Sequence, residues 1–112
     1  MKSQDGLTDV NPEQFQSYVG NDNVQLVDVR TRKEFLEGHI NEAINIDFYS
    51  EDFFKQINKL NTEKPVYIYC RSGKRSSNSV ALFKKAGFTQ IYNLDGGILG
   101  WISSDFPVAS GN

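Results

Sequence analysis

One cysteine is the most reactive group that this sequence offers. Cys70 ends the apolar, aromatic-rich run VYIYC, and the cations Arg71, Lys74 and Arg75 follow within five residues. Nearby positive charge stabilises the thiolate, which is the nucleophilic form of cysteine. Six basic residues and no Asp or Glu lie between residues 64 and 94. The sequence therefore predicts an acid-free region around the thiol that attracts small anions.

The segment after the cysteine has the composition of an anion-binding turn. Gly73 permits backbone angles that other residues avoid, and successive N–H groups in such a turn can converge on an anion. A helix predicted over about 76–86 adds unpaired N–H groups and the positive end of its dipole. Ser76 begins a run of small polar residues suited to a helix start. These features predict a depressed pKa for Cys70 and a site for an oxyanion.

A simpler interpretation is that Cys70 is a small buried hydrophobe with solvated charges beside it. The glycine, the cations and the helix start favour the reactive interpretation. His39, the only histidine, could activate a thiol as a base. Because the loop already stabilises a thiolate, a structural role is expected for His39. Asp28 ends another strand and could act as an acid or base, but we expect it to support the site through hydrogen bonds or an ion pair with Arg30.

Composition limits the classes of protein that fit. The chain has 112 residues, 38% of them hydrophobic and 23% charged, which is ordinary for one globular domain. A net charge of −2 does not suggest nucleic-acid binding, and no apolar run has the roughly 20 residues of a membrane span. One cysteine excludes an internal disulfide and a multi-cysteine zinc site. With no signal-peptide pattern at the N-terminus, we expect a cytoplasmic protein.

Strand-like and helix-like segments alternate along the chain. The predicted strands cover 24–29, 43–46, 66–70 and 90–94. The predicted helices cover 11–19 with Asn11 as N-cap, a segment from Thr31 to Gly38 with capping-box spacing to Glu34, a segment capped by Ser50, 76–86, and a segment from about Ile98. Such alternation predicts a parallel α/β sheet. Asp28 and Cys70, both at carboxyl ends of strands, should then share one edge, where ligands bind.

Two long segments carry a family resemblance. LVDVRTRKEFLEGHINEAINI and VYIYCRSGKRSSNSVALFKKAGFTQIYNLDGGILGW resemble the rhodanese family, which includes thiosulfate and persulfide sulfurtransferases. The resemblance extends from about Thr8 to Trp101 and depends on the combination of DVR, EFxxGHI, CRSGKRS and LDGGxxxW. One departure is Asn41–Glu42, where many members have Pro-Gly; we expect it to alter a turn and not the chemistry.

The resemblance implies a rhodanese-like α/β fold, with a parallel five-stranded sheet flanked by helices on both faces. The expected domain covers 8–106, with flexible tails at 1–7 and 107–112. Cys70 would be the catalytic nucleophile that carries a persulfide. The implied substrate-binding loop consists of Arg71, Ser72, Gly73, Lys74, Arg75 and Ser76. No metal or organic cofactor is implied.

The expected activity is sulfur transfer from thiosulfate or a persulfide to cyanide, a thiol or a protein acceptor, with no nucleic acid or membrane as partner. One alternative is a cysteine phosphatase or arsenate reductase, which resembles this loop but has its Arg six positions after the cysteine. Here Arg75 is five positions after Cys70, so the loop should fit a smaller group. A second alternative is a sulfur-carrier or binding module that serves a specific partner.

Overall fold

A six-stranded sheet organises the chain, which a computed structural model describes over residues 2–4, 6–20 and 24–111. The strands are β1 (Lys2–Gln4), β2 (Leu7–Val10), β3 (Gln25–Asp28), β4 (Ile44–Asn45), β5 (Val66–Tyr69) and β6 (Ile91–Leu94). Their order is β1-β2-β6-β5-β3-β4. Strands β2 to β6 are parallel, which confirms the predicted five-stranded parallel sheet, and β1 adds an antiparallel edge strand.

The described residues form five helices, of which four connect strands and the fifth follows β6. They are α1 (Pro12–Val19), α2 (Arg32–Glu37), α3 (Phe53–Ile57), α4 (Lys74–Ala86) and α5 (Gly97–Ser103). The predicted caps of the first two are present: the side chains of Asn11 and Thr31 each accept a hydrogen bond from the backbone N–H three residues later. No helix in the described ranges combines the length and the apolar character needed to cross a membrane.

Two helix starts differ from the prediction. The N-cap position of α3 is Asp52 and not Ser50, because the Ser50 hydroxyl hydrogen-bonds the Asp52 carboxylate within a turn instead of a helix N–H group. Helix α4 begins at Lys74, two residues earlier than predicted, directly after Gly73 in a left-handed conformation. The earlier start places Ser76 in the first turn of the helix and not at its cap.

Hydrophobic cores cover both faces of the sheet. Val27 and Ile68 face one core together with residues of α3 and α4. Leu26 and Tyr69, their neighbours in sequence, face the other core with residues of α1 and α5. This alternation along β3 and β5 is the period of two expected of strands, and it confirms helices on both faces. The central strand β5 is thereby fixed from both sides.

The folded backbone extends beyond the expected bounds 8–106 at both ends. Residues 2–4 pair with β2, and Leu7 belongs to β2 itself. Near the other end, His39 and Ala109 exchange two backbone hydrogen bonds of 2.8 Å, and the Gly111 N–H donates to Leu36 O at 2.9 Å. These backbone hydrogen bonds join residues that are far apart in sequence. The short, partly polar segments at the two ends contain no local pattern that predicts them.

Candidate active site

The loop between β5 and α4 surrounds the sulfur of Cys70. Cys70 follows β5 directly and α4 begins at Lys74, so three residues make the whole turn. Gly73, at φ 105°, supplies the left-handed conformation that a side chain rarely adopts. Its N–H donates to Cys70 Sγ at 3.0 Å, and Ser76 Oγ donates at 3.5 Å. The sulfur is thus held by donors from both the turn and the first turn of α4.

These contacts favour the thiolate form of Cys70. Burial, which leaves the residue 1% exposed, acts to raise the pKa of the thiol. Hydrogen bonds from the Ser76 hydroxyl and from the N–H groups of Ser76, Gly73 and Ser72 outweigh burial, and the pKa is lowered overall. The lowered pKa of Cys70 agrees with the sequence prediction. However, the pKa is lowered mainly by hydrogen-bond donors and not by the cations.

The cations of the loop are not equivalent. Arg75 forms a bidentate ion pair with Glu34 of α2, at 2.7 and 2.8 Å, whereas Arg71 and Lys74 are exposed. The pair holds the pKa of Glu34 at about 2, chiefly through the hydrogen bond from Arg75. The predicted acid-free region around the thiol is therefore wrong in space, because α2 brings a carboxylate to a loop that contains none in sequence.

Helix α5 forms backbone hydrogen bonds with the loop that follows β5. The N–H groups of Ile98 and Leu99 donate to Cys70 O at 2.9 Å and to Arg71 O at 3.1 Å. Gly97 lies so close that a Cβ there would be 2.4 Å from Arg71 O and 2.6 Å from Cys70 O. The sequence DGG by itself predicts only a turn. The paired glycines were the available signal that two backbone segments approach each other closely there.

Asp28 and Arg30 form a buried ion pair at the same sheet edge. Arg30 Nη2 lies 2.6 Å from Asp28 Oδ2, and it also donates to Gly38 O at 2.6 Å. Asp28 is paired in register with Tyr69, the residue before the cysteine. The edge predicted for Asp28 and Cys70 is confirmed. The pair joins β3 to the end of α2 and does not contact the sulfur in the described contacts, in keeping with a supporting role.

His39 occupies a structural position. It is 6% exposed, its Nδ1 lies 2.8 Å from Phe35 O, and its ring stacks on that of Phe35 with centroids 3.8 Å apart. Nearby, Glu42 has a left-handed backbone with φ 73°. Glycine adopts this conformation more readily than glutamate, so the departure at Asn41–Glu42 falls on a turn. Neither residue has a described contact with Cys70.

The arrangement can stabilise an anionic sulfur and an anion bound next to it. No group of three or more His, Cys, Asp or Glu side chains suited to a metal ion is found in residues 6–20 and 24–111. The donors around Sγ are N–H and O–H groups, which favour negative charge on a nucleophile or on a group attached to it. A thiolate in such a position can attack an electrophilic sulfur or phosphorus atom.

Comparison with known proteins gives one consistent result. A model of the rhodanese-like domain family matches residues 11–104. YqhL of Bacillus subtilis is 43% identical over 77 residues, which are 69% of this chain and 60% of that protein. The thiosulfate sulfurtransferase GlpE of Actinobacillus pleuropneumoniae is 26% identical over 91% of this chain and 93% of that protein. A rhodanese-related protein from Thermoplasma volcanium has a TM-score of 0.78 at 26% identity, covering 90% and 96% of the two chains.

Proposed function

Because the chain belongs to the rhodanese-like domain family, we propose that it is a sulfurtransferase that carries sulfur as a persulfide on Cys70. The donor is thiosulfate or a persulfide, and the acceptor is cyanide, a small thiol or a protein thiol. The single observation that supports this most is the convergence of Gly73 N–H and Ser76 Oγ on Cys70 Sγ. The relative named thiosulfate sulfurtransferase supports the choice of donor.

The reaction has two steps that share the enzyme persulfide. The Cys70 thiolate attacks the outer sulfur of thiosulfate, the S–S bond of thiosulfate breaks, and sulfite leaves with the bonding electron pair. The outer sulfur stays on Cys70 as a persulfide anion. An acceptor such as cyanide then attacks that outer sulfur, and Cys70 leaves as a thiolate. No external oxidant is needed, and the scheme predicts ping-pong kinetics.

The loop supplies what the two steps need. The donors on Sγ stabilise the thiolate before the attack and after the second step. The exposed side chains of Arg71 and Lys74 give a small anionic donor an attractive field, while Arg75 is held by Glu34. A lone activated thiol works in a reducing compartment, where free cysteines persist, so we propose a cytoplasmic setting.

The direct test is intact mass after incubation with thiosulfate. The expected result is a mass gain of one sulfur atom on the wild type, which is lost after addition of cyanide. A parallel assay uses an aryl phosphate as substrate with the same amount of enzyme. Faster hydrolysis of the phosphate ester than sulfur transfer from any donor would contradict the proposal and favour a phosphatase.

Two substitutions distinguish the role proposed for Cys70 from the role proposed for His39. We expect Cys70→Ser to abolish persulfide formation and thiosulfate:cyanide transfer, because the loop then holds no thiol. We expect His39→Ala to retain transfer, since His39 bonds Phe35 O and stacks on its ring. Both variants are assayed after circular dichroism confirms folding. Loss of transfer in a folded His39→Ala protein would contradict the structural role assigned to His39.

A further inference from the structure

A cleft of about 260 Å³ lies beside the Cys70 loop, between α2 and α5. Arg71, the residue after the nucleophile, lines one part of it, and Glu37 at the end of α2 lines another. Leu99 and Ile102 of α5 contribute an apolar surface. The volume is below the ~300–1,000 Å³ of pockets for drug-sized ligands. It therefore suits a small molecule.

Some of the charged side chains that line this cleft already form ion pairs within the protein, and others are available to a ligand. Arg30 is tied to Asp28 and Gly38 O, and Glu34 is tied to Arg75. In contrast, the side chains of Arg71 and Glu37 are exposed, and neither has a hydrogen-bond or ion-pair partner among the residues that the structure describes. Within the described part of the chain, one cation and one anion without a partner therefore line the same small cleft.

The apolar part of the cleft is unusually exposed for its residue types. Leu99 is 44% exposed and Ile102 is 49% exposed, and their one-turn spacing places them on the same side of α5. The Leu99 N–H also donates to Arg71 O, so this apolar surface is fixed directly to the loop of the nucleophile. A ligand with a short aliphatic segment between its charged groups would cover these side chains.

We propose, on the basis of the sulfurtransferase function proposed above, that this cleft binds the sulfur acceptor, a small thiol that carries both a carboxylate and an ammonium group. Arg71 contacts the carboxylate, Glu37 contacts the ammonium group, and Leu99 and Ile102 contact the aliphatic part. An amino-acid thiol such as cysteine has this chemistry. Because Arg71 directly follows Cys70 in the chain, a ligand bound to Arg71 lies beside the loop that would carry the persulfide.

The transfer step balances without another reactant. The acceptor thiol loses its proton to solvent, and its sulfur attacks the outer sulfur of the Cys70 persulfide. The S–S bond to Cys70 breaks, and Cys70 leaves as a thiolate held by Gly73 N–H and Ser76 Oγ. The product is the acceptor persulfide, which takes up the proton that its thiol released.

The test measures discharge of enzyme that already carries the persulfide, with four thiols. These are cysteine with both charged groups, cysteamine with the ammonium group alone, mercaptopropionate with the carboxylate alone, and mercaptoethanol with neither. In Glu37→Gln, we expect discharge to cysteine and cysteamine to slow by about two- to fivefold, the size of an exposed ion pair. Discharge to mercaptoethanol and to cyanide should keep the wild-type rate, and discharge to mercaptopropionate should not slow.

Arg71→Gln provides the complementary pattern. Because the measurement starts from loaded enzyme, any effect of Arg71 on the donor step is removed. We expect slower discharge to cysteine and mercaptopropionate than in the wild type, by a similar factor, and a smaller change with cysteamine. Glu63→Gln is the matched control, since Glu63 is also exposed but precedes β5, at the opposite edge of the sheet. It should leave all rates unchanged.

The outcomes separate the two proposals. Failure to form a persulfide from thiosulfate or from any persulfide donor would overturn the proposed function itself. Formation of the persulfide and normal discharge to cyanide, with all four thiols affected equally or not at all in Glu37→Gln, would overturn the acceptor site alone. Selective slowing of the ammonium-bearing thiols in Glu37→Gln supports the acceptor site.

Discussion

Cys70 Sγ accepts hydrogen bonds from Gly73 N–H at 3.0 Å and from Ser76 Oγ at 3.5 Å. At the scale of single residues, these donors oppose the effect of burial, which alone would raise the pKa of the thiol. Ser76 is fully buried, and its hydroxyl lies 3.5 Å from Cys70 Sγ and 3.1 Å from Gly73 O. Its interaction with the sulfur is the one in the loop that a single substitution can remove without changing the backbone.

We expect Ser76→Ala to raise the pKa of Cys70, because the substitution removes a hydrogen-bond donor that stabilises the thiolate. The midpoint of alkylation rate against pH should then move to higher pH, because less thiolate is present at each pH. Ser77→Ala is the control, since the Ser77 hydroxyl bonds Gly73 O and not the sulfur. An unchanged midpoint in Ser76→Ala would contradict the role of this hydroxyl.

The ion pair between Glu34 and Arg75 predicts a pH-dependent contribution to stability. The pKa of Glu34 is lowered from 4.5 to about 2, chiefly by the hydrogen bond from Arg75. A depressed carboxyl pKa stabilises the folded state above the unfolded value of 4.5, and this contribution is lost as the pH falls towards 2. Wild type should therefore be more stable than Glu34→Gln at neutral pH.

Denaturant unfolding of both proteins at several pH values measures this difference. The gap in unfolding free energy between wild type and Glu34→Gln should be constant from neutral pH down to about 4.5 and should shrink below it. Glu63→Gln, which lacks such a partner among the described ion pairs, should show no comparable trend. A gap independent of pH down to the acid limit of the fold would count against the ion pair.

At the scale of elements, two helices make different contacts with the loop of the nucleophile. Helix α4 begins at the loop and supplies Ser76. Helix α5 donates two backbone N–H groups to the carbonyls of Cys70 and Arg71. The glycine at the start of α5 permits this close contact, because a Cβ at Gly97 would lie 2.4 Å from Arg71 O.

Gly97→Ala should displace the loop, whereas Gly96→Ala should not. Both glycines have positive φ, 81° for Gly96 and 60° for Gly97, so each substitution costs about 1–2 kcal/mol of backbone strain. Only the Cβ at Gly97 also collides with backbone; at Gly96 the nearest atom is 3.7 Å away. We expect Gly97→Ala to lose more stability and to form persulfide more slowly, as unfolding free energy and mass spectrometry would show. Equal behaviour of the two variants would contradict the supporting role of α5.

At the scale of the whole molecule, distant parts of the chain join around the parallel sheet. The sheet places the ends of β3 and β5 side by side, which brings Asp28 next to Tyr69. The segment after α5 crosses back to the region of α2, where Ala109 pairs with His39. In addition, Trp101 Nε1 donates to Pro107 O at 2.8 Å. The segment after α5 thus connects this helix to the region that follows α2.

Removal of residues 107–112 should lower the unfolding free energy by about 1–3 kcal/mol, the net value of a few hydrogen bonds after the entropy of ordering the segment. The bonds lost include those of Ala109 to His39 and of Trp101 to Pro107. Sulfur transfer at low temperature should persist, since no residue of this segment contacts the loop in the described contacts. Unchanged stability in urea unfolding would instead favour the flexible tail expected from sequence.

The sequence by itself determined the local features. Asn11 and the Thr31–Glu34 spacing predicted two helix starts, because capping depends on residues three positions apart. The apolar run 66–70 predicted the central strand, and Gly73 with Ser76 predicted a turn and donors after the cysteine. The residue pattern of β2 does not indicate a strand, since one residue of its four is buried.

Only the tertiary structure decided which groups meet across the fold. Glu34 and Arg75 are 41 residues apart in sequence, so no local pattern predicts that a carboxylate neutralises one cation of the loop. The support from α5 and the pairing of Ala109 with His39 likewise depend on how helices dock onto the sheet. Short-range rules act over a few residues of chain, whereas these contacts follow from packing apolar faces on both sides of one sheet.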